Sequence, residues 1–243
     1  MMKNVRILDC TLRDGGRIID CAFPDEETKE ISRRLAEAKI DIIEVGFLRD
    51  RRKVNYQGNS TFFTDVDQIR PFVNKEKKGV LYTAFIDYGM CDIDTLKPYD
   101  GTSIDAIRFG FTKKNYDEEK EEVIRWINVI KEKGYKLFIQ GVNSLNYTDR
   151  ELLEIVDMVN EAHPYSFGIV DTYGAMYMDD VDRLYGLIDH NMSSDICINF
   201  HSHNNYQLSF AFAQEVIKLS GTSNRQIIID GTLGGMGKVA GNL

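Results

Sequence analysis

The sequence predicts an α/β fold, a closed (β/α)8 TIM barrel, on three observations. Eight short apolar runs alternate with longer amphipathic segments, the pattern of repeated βα units around a parallel sheet. No long structureless linker interrupts the alternation, and 243 residues suffice for one barrel domain. Neither a GxGxxG turn after a strand nor a Walker loop is present, so the usual nucleotide signals of an open doubly wound sheet are missing.

The expected strands are Val5–Asp9, Ile42–Phe47, Val80–Phe85, Ala106–Phe111, Leu137–Val142, Phe167–Asp171, Ile196–His201 and Ile227–Asp230. Helical patterns run over Asp25–Lys39, Asp65–Asn74, Asp92–Pro98, Asp117–Lys133, Thr148–Ala162, Asp179–His190 and Gln207–Leu219. Several open with Asp or Thr, which cap helix N-termini, and Gly134 closes the fourth. An eighth helix has no counterpart, because the sequence ends at Leu243, soon after the last strand. The expectation is a single domain over residues 1–243, truncated at its C-terminus or completed by a neighbouring subunit. An uncovered face on strand eight would favour a homo-oligomer.

A net charge of -8 argues against a partner such as nucleic acid or an anionic membrane. The one tight basic cluster, Arg49-Asp50-Arg51-Arg52-Lys53, is short and interrupted by an acid, as in a solvated loop. Cys10, Cys21, Cys91 and Cys197 form no CxxC pair and lie mostly in or beside apolar runs, which suits reduced thiols. No apolar stretch reaches the ~18 residues that span a bilayer. Met1-Met2-Lys3-Asn4 leads straight into a strand without a signal-peptide core. A cytoplasmic location is the expectation.

The strongest chemical signal is His201-Ser202-His203 at the end of the apolar run Ile196–Phe200. Residues i and i+2 of a strand share a face, so both imidazoles project together, into the mouth if the strand belongs to a barrel. Such a pair suits a divalent cation; a pair of surface histidines is the plain alternative. Asp14, in the polar loop after strand one, is a hard oxygen ligand at the same end, and Arg13 beside it carries a planar donor fork. A turn closed by a salt bridge is the alternative there. Asp9 reads as a structural acid that orients Arg13 or a strand-end amide. After strand eight, five glycines between Gly231 and Gly241 let backbone approach a ligand closely, or make a flexible hairpin.

Together, LDCTLRDGG, HSHNN and DGTLGGMGKVAGN resemble the DRE-TIM metallolyase superfamily over the whole chain, most of all its 4-hydroxy-2-oxovalerate aldolase-like branch. Isopropylmalate and homocitrate synthases and hydroxymethylglutaryl-CoA lyase belong to the same superfamily. The resemblance implies one divalent metal ion held by Asp14, His201 and His203, with Asn242 approaching it. Mn2+ is the expected ion, with Mg2+, Co2+ or Zn2+ suiting the same donors. Arg13 would hold the enolate oxygen, and Glu44 would orient Arg13 or the metal waters. Asp171, Thr172 and Tyr173 would face substrate, as would Asn204 of HSHNN and Gly237 of the glycine loop. Arg108 is either a substrate carboxylate partner or an interior ion pair with Glu44. The implied chemistry cleaves or forms a carbon–carbon bond in a 2-oxo acid through a metal-bound enolate.

The sequence departs from this family at the proton-transfer group. Oxovalerate aldolases carry a histidine three residues beyond the metal aspartate, where this chain has Arg17. The synthases' Gly-Glu-Gln is Gly15-Gly16-Arg17 here, and the glycine loop offers Met236 and no cysteine. Tyr173, Tyr206, Lys238 or a metal-bound water would have to substitute, and Arg17 could receive an anionic group such as a phosphate or a sugar acid. Two other readings stand beside the aldolase: an acyl-CoA-dependent Claisen-type synthase, and a non-catalytic metabolite-binding barrel.

Overall fold

The computed structural model describes residues 4–53 and 61–243, so Met1, Met2 and Lys3 of the N-terminal run Met1-Met2-Lys3-Asn4 considered for a signal peptide lie outside the described residues. Eight strands form the barrel: β1 (Val5–Asp9), β2 (Ile42–Leu48), β3 (Leu81–Asp87), β4 (Ala106–Thr112), β5 (Lys136–Val142), β6 (Ser166–Asp171), β7 (Cys197–Ser202) and β8 (Ile227–Gly231). Each pairs in parallel with its sequence neighbour, and β1 pairs with both β2 and β8, which closes the ring. A two-residue strand, Phe62–Phe63, lies beside the end of β2. Every expected strand forms, with ends moved by at most two residues.

Among the described residues five α-helices surround the ring: α1 (Asp25–Glu37), α2 (Lys113–Glu132), α3 (Asp149–Ala162), α4 (Met178–Asn191) and α5 (Ser209–Ser223). Thr112 and Thr148 cap α2 and α3 through reciprocal bonds with Asn115 and Glu151. Two expected helices are replaced by 3-10 turns, Val66–Phe72 and Ile93–Thr95. The first contains Pro71, which has no N–H to continue an α-helix. The second lies in a short run ending at Pro98, too brief to recover the cost of nucleation. Val66, Ile69 and Phe72 are buried nonetheless, so the turn still covers the sheet. Among the described residues no helix is long and apolar enough to cross a membrane.

The barrel interior changes character in steps of two residues along the strands. At the bottom, Leu8, Ile42, Ala106, Phe138, Cys197 and Ile228 pack into one apolar cluster, joined by Cys10. Two residues further on stand Glu44, Arg108, Gln140, Asn199 and Asp230, all buried. Side chains i and i+2 share a strand face, so this polar layer lies directly above the plug. One more step along β7 places His201 above Asn199, and His203 follows just past the strand end.

Candidate active site

The polar layer is a connected network of opposite charges. Arg108 donates to Glu44 Oε2 (3.0 Å), Asn199 Oδ1 (2.9 Å) and Asp230 Oδ2 (2.6 Å). Gln140 Nε2 also donates to Asn199 Oδ1 (2.9 Å), and Asn199 Nδ2 donates to Asp230 Oδ1 (2.6 Å). Burial opposes ionisation of Asp230, yet Arg108 and His201 hold its carboxyl below the usual carboxylate value. Of the two readings of Arg108, the interior ion pair is present; the residue also borders the cavity above.

Above this layer Arg13 reaches in from the loop after β1. Its Nε donates to Glu44 Oε2 (2.6 Å) and its Nη1 to Asp14 Oδ1 (2.7 Å), while the Phe85 ring centroid lies 4.8 Å from Cζ. Among the described residues its Nη2 has no acceptor. Asp14 is placed by a tight turn in which its N–H donates to the Cys10 carbonyl (2.8 Å). Burial works against the charge of Asp14, but Arg13 and His203 keep its carboxyl well below the ordinary range. Asp9 does not touch Arg13. It accepts from the Thr11 N–H (2.9 Å) and hydroxyl (3.1 Å), and burial pushes its pKa up to about 6.

The two histidines stand with ring centroids 5.0 Å apart. His201 Nδ1 donates to Asp230 Oδ2 (2.9 Å), and His203 Nδ1 to the Asp171 carbonyl (3.1 Å). Both partners only accept, so each Nδ1 donates, and a neutral His201 ring would offer its Nε2 lone pair. Burial lowers His201 against the pull of Asp230, which favours that neutral form. His203 Nε2 lies 3.0 Å from Asp14 Oδ2, a contact that favours the ionised carboxylate. The ligand atoms of Asp14, His201 and His203 lie within 4.8 Å of one another. Asn242 joins them through a backbone bridge to His203; its Nδ2 donates to Asp14 Oδ2 (2.8 Å), and its Oδ1 is buried without a partner among the described residues. Ionised oxygen, two imidazole nitrogens and an unpartnered amide oxygen are a donor set that fits a divalent cation, with the Asp230 carboxylate behind the other nitrogen of His201 and the Asp171 backbone carbonyl behind that of His203, as metal sites commonly have. A second convergent group, Cys10, His201 and Asp230, fits less well. Burial keeps the Cys10 thiol well above its ordinary value, and Asp230 is committed to Arg108.

A cavity of about 120 Å³ opens over this centre. Arg13, Asp14, Arg17, Arg108, Thr172, His201 and His203, all singled out in the sequence, border it. Gly237 supports it: a Cβ there would stand 2.1 Å from Asn242 Nδ2, so only glycine leaves that amide in place. Glu44 lies beneath, reaching the cavity through Arg13. Three residues are not brought to it. Asp171 turns its carboxylate onto the Ala175 and Met176 amides (2.9 and 3.2 Å). Asn204 Oδ1 accepts from the Ser209 N–H (3.3 Å) at the start of α5. Tyr173 is 50% exposed and meets the cavity only through Lys238, whose Nζ lies 5.7 Å from its ring. Of the substitutes for the proton-transfer group, Lys238 borders the cavity, while Tyr206 is half exposed and packs against Tyr177. Sequence reasoning missed Asp230, Asn199 and Gln140, and it missed Asp87, which borders the cavity in an ion pair with Arg49. The signal was available: each is polar where a strand's inward face leaves the apolar plug.

The HMGL-like family model matches residues 4–243. The chain is 26% identical over 246 residues to the 4-hydroxy-2-oxovalerate aldolase of Pelotomaculum thermopropionicum, covering 99% of this chain and 68% of that protein. It is 25% identical to homocitrate synthase AksA of Methanocaldococcus jannaschii, over 99% of this chain and 57% of the synthase. The chain thus spans about half the length of the synthases it matches, 44% of one and 57% of another. Its fold matches the hydroxymethylglutaryl-CoA lyase of Pseudomonas aeruginosa with a TM-score of 0.74 at 13% identity, over 100% of this chain and 83% of the lyase. Motifs, barrel and family match therefore agree: the chain belongs to the HMGL-like family, with the DRE-TIM fold.

Proposed function

We propose that this chain is a divalent-metal-dependent lyase that cleaves, or in reverse forms, a carbon–carbon bond in a 2-oxo acid. The convergence of Asp14, His201, His203 and the unpartnered Asn242 amide oxygen beside Arg13 carries the reading. Those four residues would hold the ion, Mn2+ by preference, which would supply Lewis acidity to the 2-oxo and carboxylate oxygens. Arg13 borders the cavity, and its Nη2, with no acceptor among the described residues, would donate to the charge that develops on the oxo oxygen. Glu44 fixes Arg13 through the 2.6 Å bond to Nε, so no reorganisation is needed as that charge forms.

Asp87 is the acceptor for the substrate hydroxyl proton in this reading. It borders the cavity, its carboxylate is oriented by Arg49, and it is free of the metal-ligand group. When the 4-hydroxyl loses its proton to Asp87, its electron pair forms the aldehyde carbonyl and the C3–C4 bond breaks. The released pair makes the C2–C3 double bond, leaving an enolate oxygen for Arg13; a proton from solvent at C3 then gives the shorter 2-oxo acid, and Asp87 returns its proton to solvent. A cavity of about 120 Å³ bordered by Arg13, Arg17, Arg108 and Lys238 suits a short anionic oxo acid, which supports the aldolase over a Claisen-type synthase.

The test is pyruvate release from a panel of 4-hydroxy-2-oxo acids in the presence of Mn2+, coupled to NADH oxidation. Metal-dependent release that His201→Ala abolishes is the expected result. Free thiol from acetyl-CoA with a 2-oxo acid, and no pyruvate, would replace this reading by the synthase. Neither activity in a protein that binds one equivalent of Mn2+ would leave a metabolite-binding barrel.

A further inference from the structure

Arg17 sits in the 3-10 helix Gly15–Ile19, and that tight turn returns its side chain over Asp14. Its Nε donates to Asp14 Oδ1 (3.1 Å), and its Cζ lies 4.8 Å from the centroid of the Phe47 ring. Two contacts therefore hold the guanidinium at the border of the cavity. Among the described residues, neither Nη nitrogen has a hydrogen-bond acceptor. Lys238 borders the same cavity, and among the described residues its Nζ has the Tyr173 ring as neighbour and no acceptor.

The charges around the cavity point the same way. Arg13, Arg17, Arg49, Arg108 and Lys238 face Asp14, Glu44, Asp87 and Asp230, which leaves one positive charge over. A divalent ion raises the excess to three, and the carboxylate of a plain 2-oxo acid removes one. Arg17 is partly exposed and Lys238 exposed, so both can be reached by a ligand from solvent, and a planar guanidinium fork with both Nη groups open among the described residues matches a carboxylate or phosphate.

We propose that the substrate carries a second anionic group, a carboxylate or a phosphate, remote from its 2-oxo acid end, and that Arg17 with Lys238 receives it. The proposal rests on the 2-oxo acid reading and narrows it to doubly anionic substrates.

The experiment is calorimetric titration of the Mn2+-loaded protein with 2-oxopentanoate, 2-oxoglutarate and 2-oxo-4-phosphonobutanoate, which share one end and differ at the other. One of the two anion-ended acids should bind ten-fold or more tighter than 2-oxopentanoate, and the tighter of them identifies the group. That ratio should fall toward one in Arg17→Met, fall less in Lys238→Met and survive in part in Arg17→Lys. Equal affinities in the wild type, or an unchanged ratio in Arg17→Met, would overturn the proposal. Succinate and inorganic phosphate separate the two readings. If they bind in an Arg17-dependent way while 2-oxopentanoate does not bind at all, the anion receptor stands and the 2-oxo acid reading falls. If neither class binds, both fall.

Discussion

Replacing Asp230 by Asn tests whether the polar layer supports the metal centre or merely neutralises itself. Asp230 is 2% exposed and does two things with Oδ2: it accepts from Arg108 (2.6 Å) and from His201 Nδ1 (2.9 Å). The variant keeps the shape and removes the charge. Breaking a buried ion pair from one side costs about 3–5 kcal/mol, and the lower figure applies because Arg108 retains Glu44 and Asn199. For a domain of this size each kcal/mol lowers Tm by about 2–4 °C, so ~3 kcal/mol predicts a fall of about 6–12 °C. Loss of the carboxylate behind a metal-ligating imidazole costs about 10–100-fold in metal affinity. Both are read on one preparation, Tm by calorimetry without metal and Mn2+ affinity by titration well below the new Tm. A lowered Tm with unchanged Mn2+ affinity would refute the reasoning that Asp230 orients His201. An unchanged Tm would refute the ion-pair assignment itself.

Two further expectations follow from single groups. Asp9 is held partly neutral by burial, its pKa raised from 3.8 to about 6, so its stabilising contribution is complete below pH 3.8 and lost as pH rises through about 6. At 1.36 kcal/mol per pH unit the gap amounts to ~3 kcal/mol; Asp9→Asn should therefore gain about that much over the wild type between pH 4 and pH 7, measured by denaturant unfolding, and a constant difference across that range would refute it. If Asp87 takes the substrate proton, Asp87→Asn should lower kcat by ~10²–10⁴-fold. Its Mn2+ affinity should stay at the wild-type value, and a kcat within a few-fold of the wild type would remove Asp87 from the mechanism.

Much of the scaffold was legible because it depends on local chain geometry. Alternation of side chains along an extended strand is a backbone property, so His201 and His203 could be placed on one face from their spacing alone. The apolar runs marked all eight strands, and a run that turns polar at its end marked the mouth. The 3-10 turns were less legible: Asp65–Asn74 has helical spacing, and Pro71 outweighs it. Roles carried over from resemblance named positions but not the direction in which each side chain turns. Asp171 and Asn204 occupy motif positions, yet both cap nearby backbone amides instead of facing the cavity.

By itself the sequence determined the barrel, the face of each strand, and the residues Asp14, His201 and His203 at one end of it. Tertiary structure alone decided which charges meet: Arg108 with Glu44 and Asp230, Arg49 with Asp87, and Asn242 with Asp14 across 228 positions of chain. It alone left Arg17 and Asn242 with polar atoms unpartnered among the described residues. The reason is physical. Side-chain direction follows from neighbouring dihedral angles, which neighbouring residues encode. The partner of a buried charge follows from which strands the closed ring brings together and from the desolvation that makes an unpaired charge costly, and neither exists until the barrel has closed.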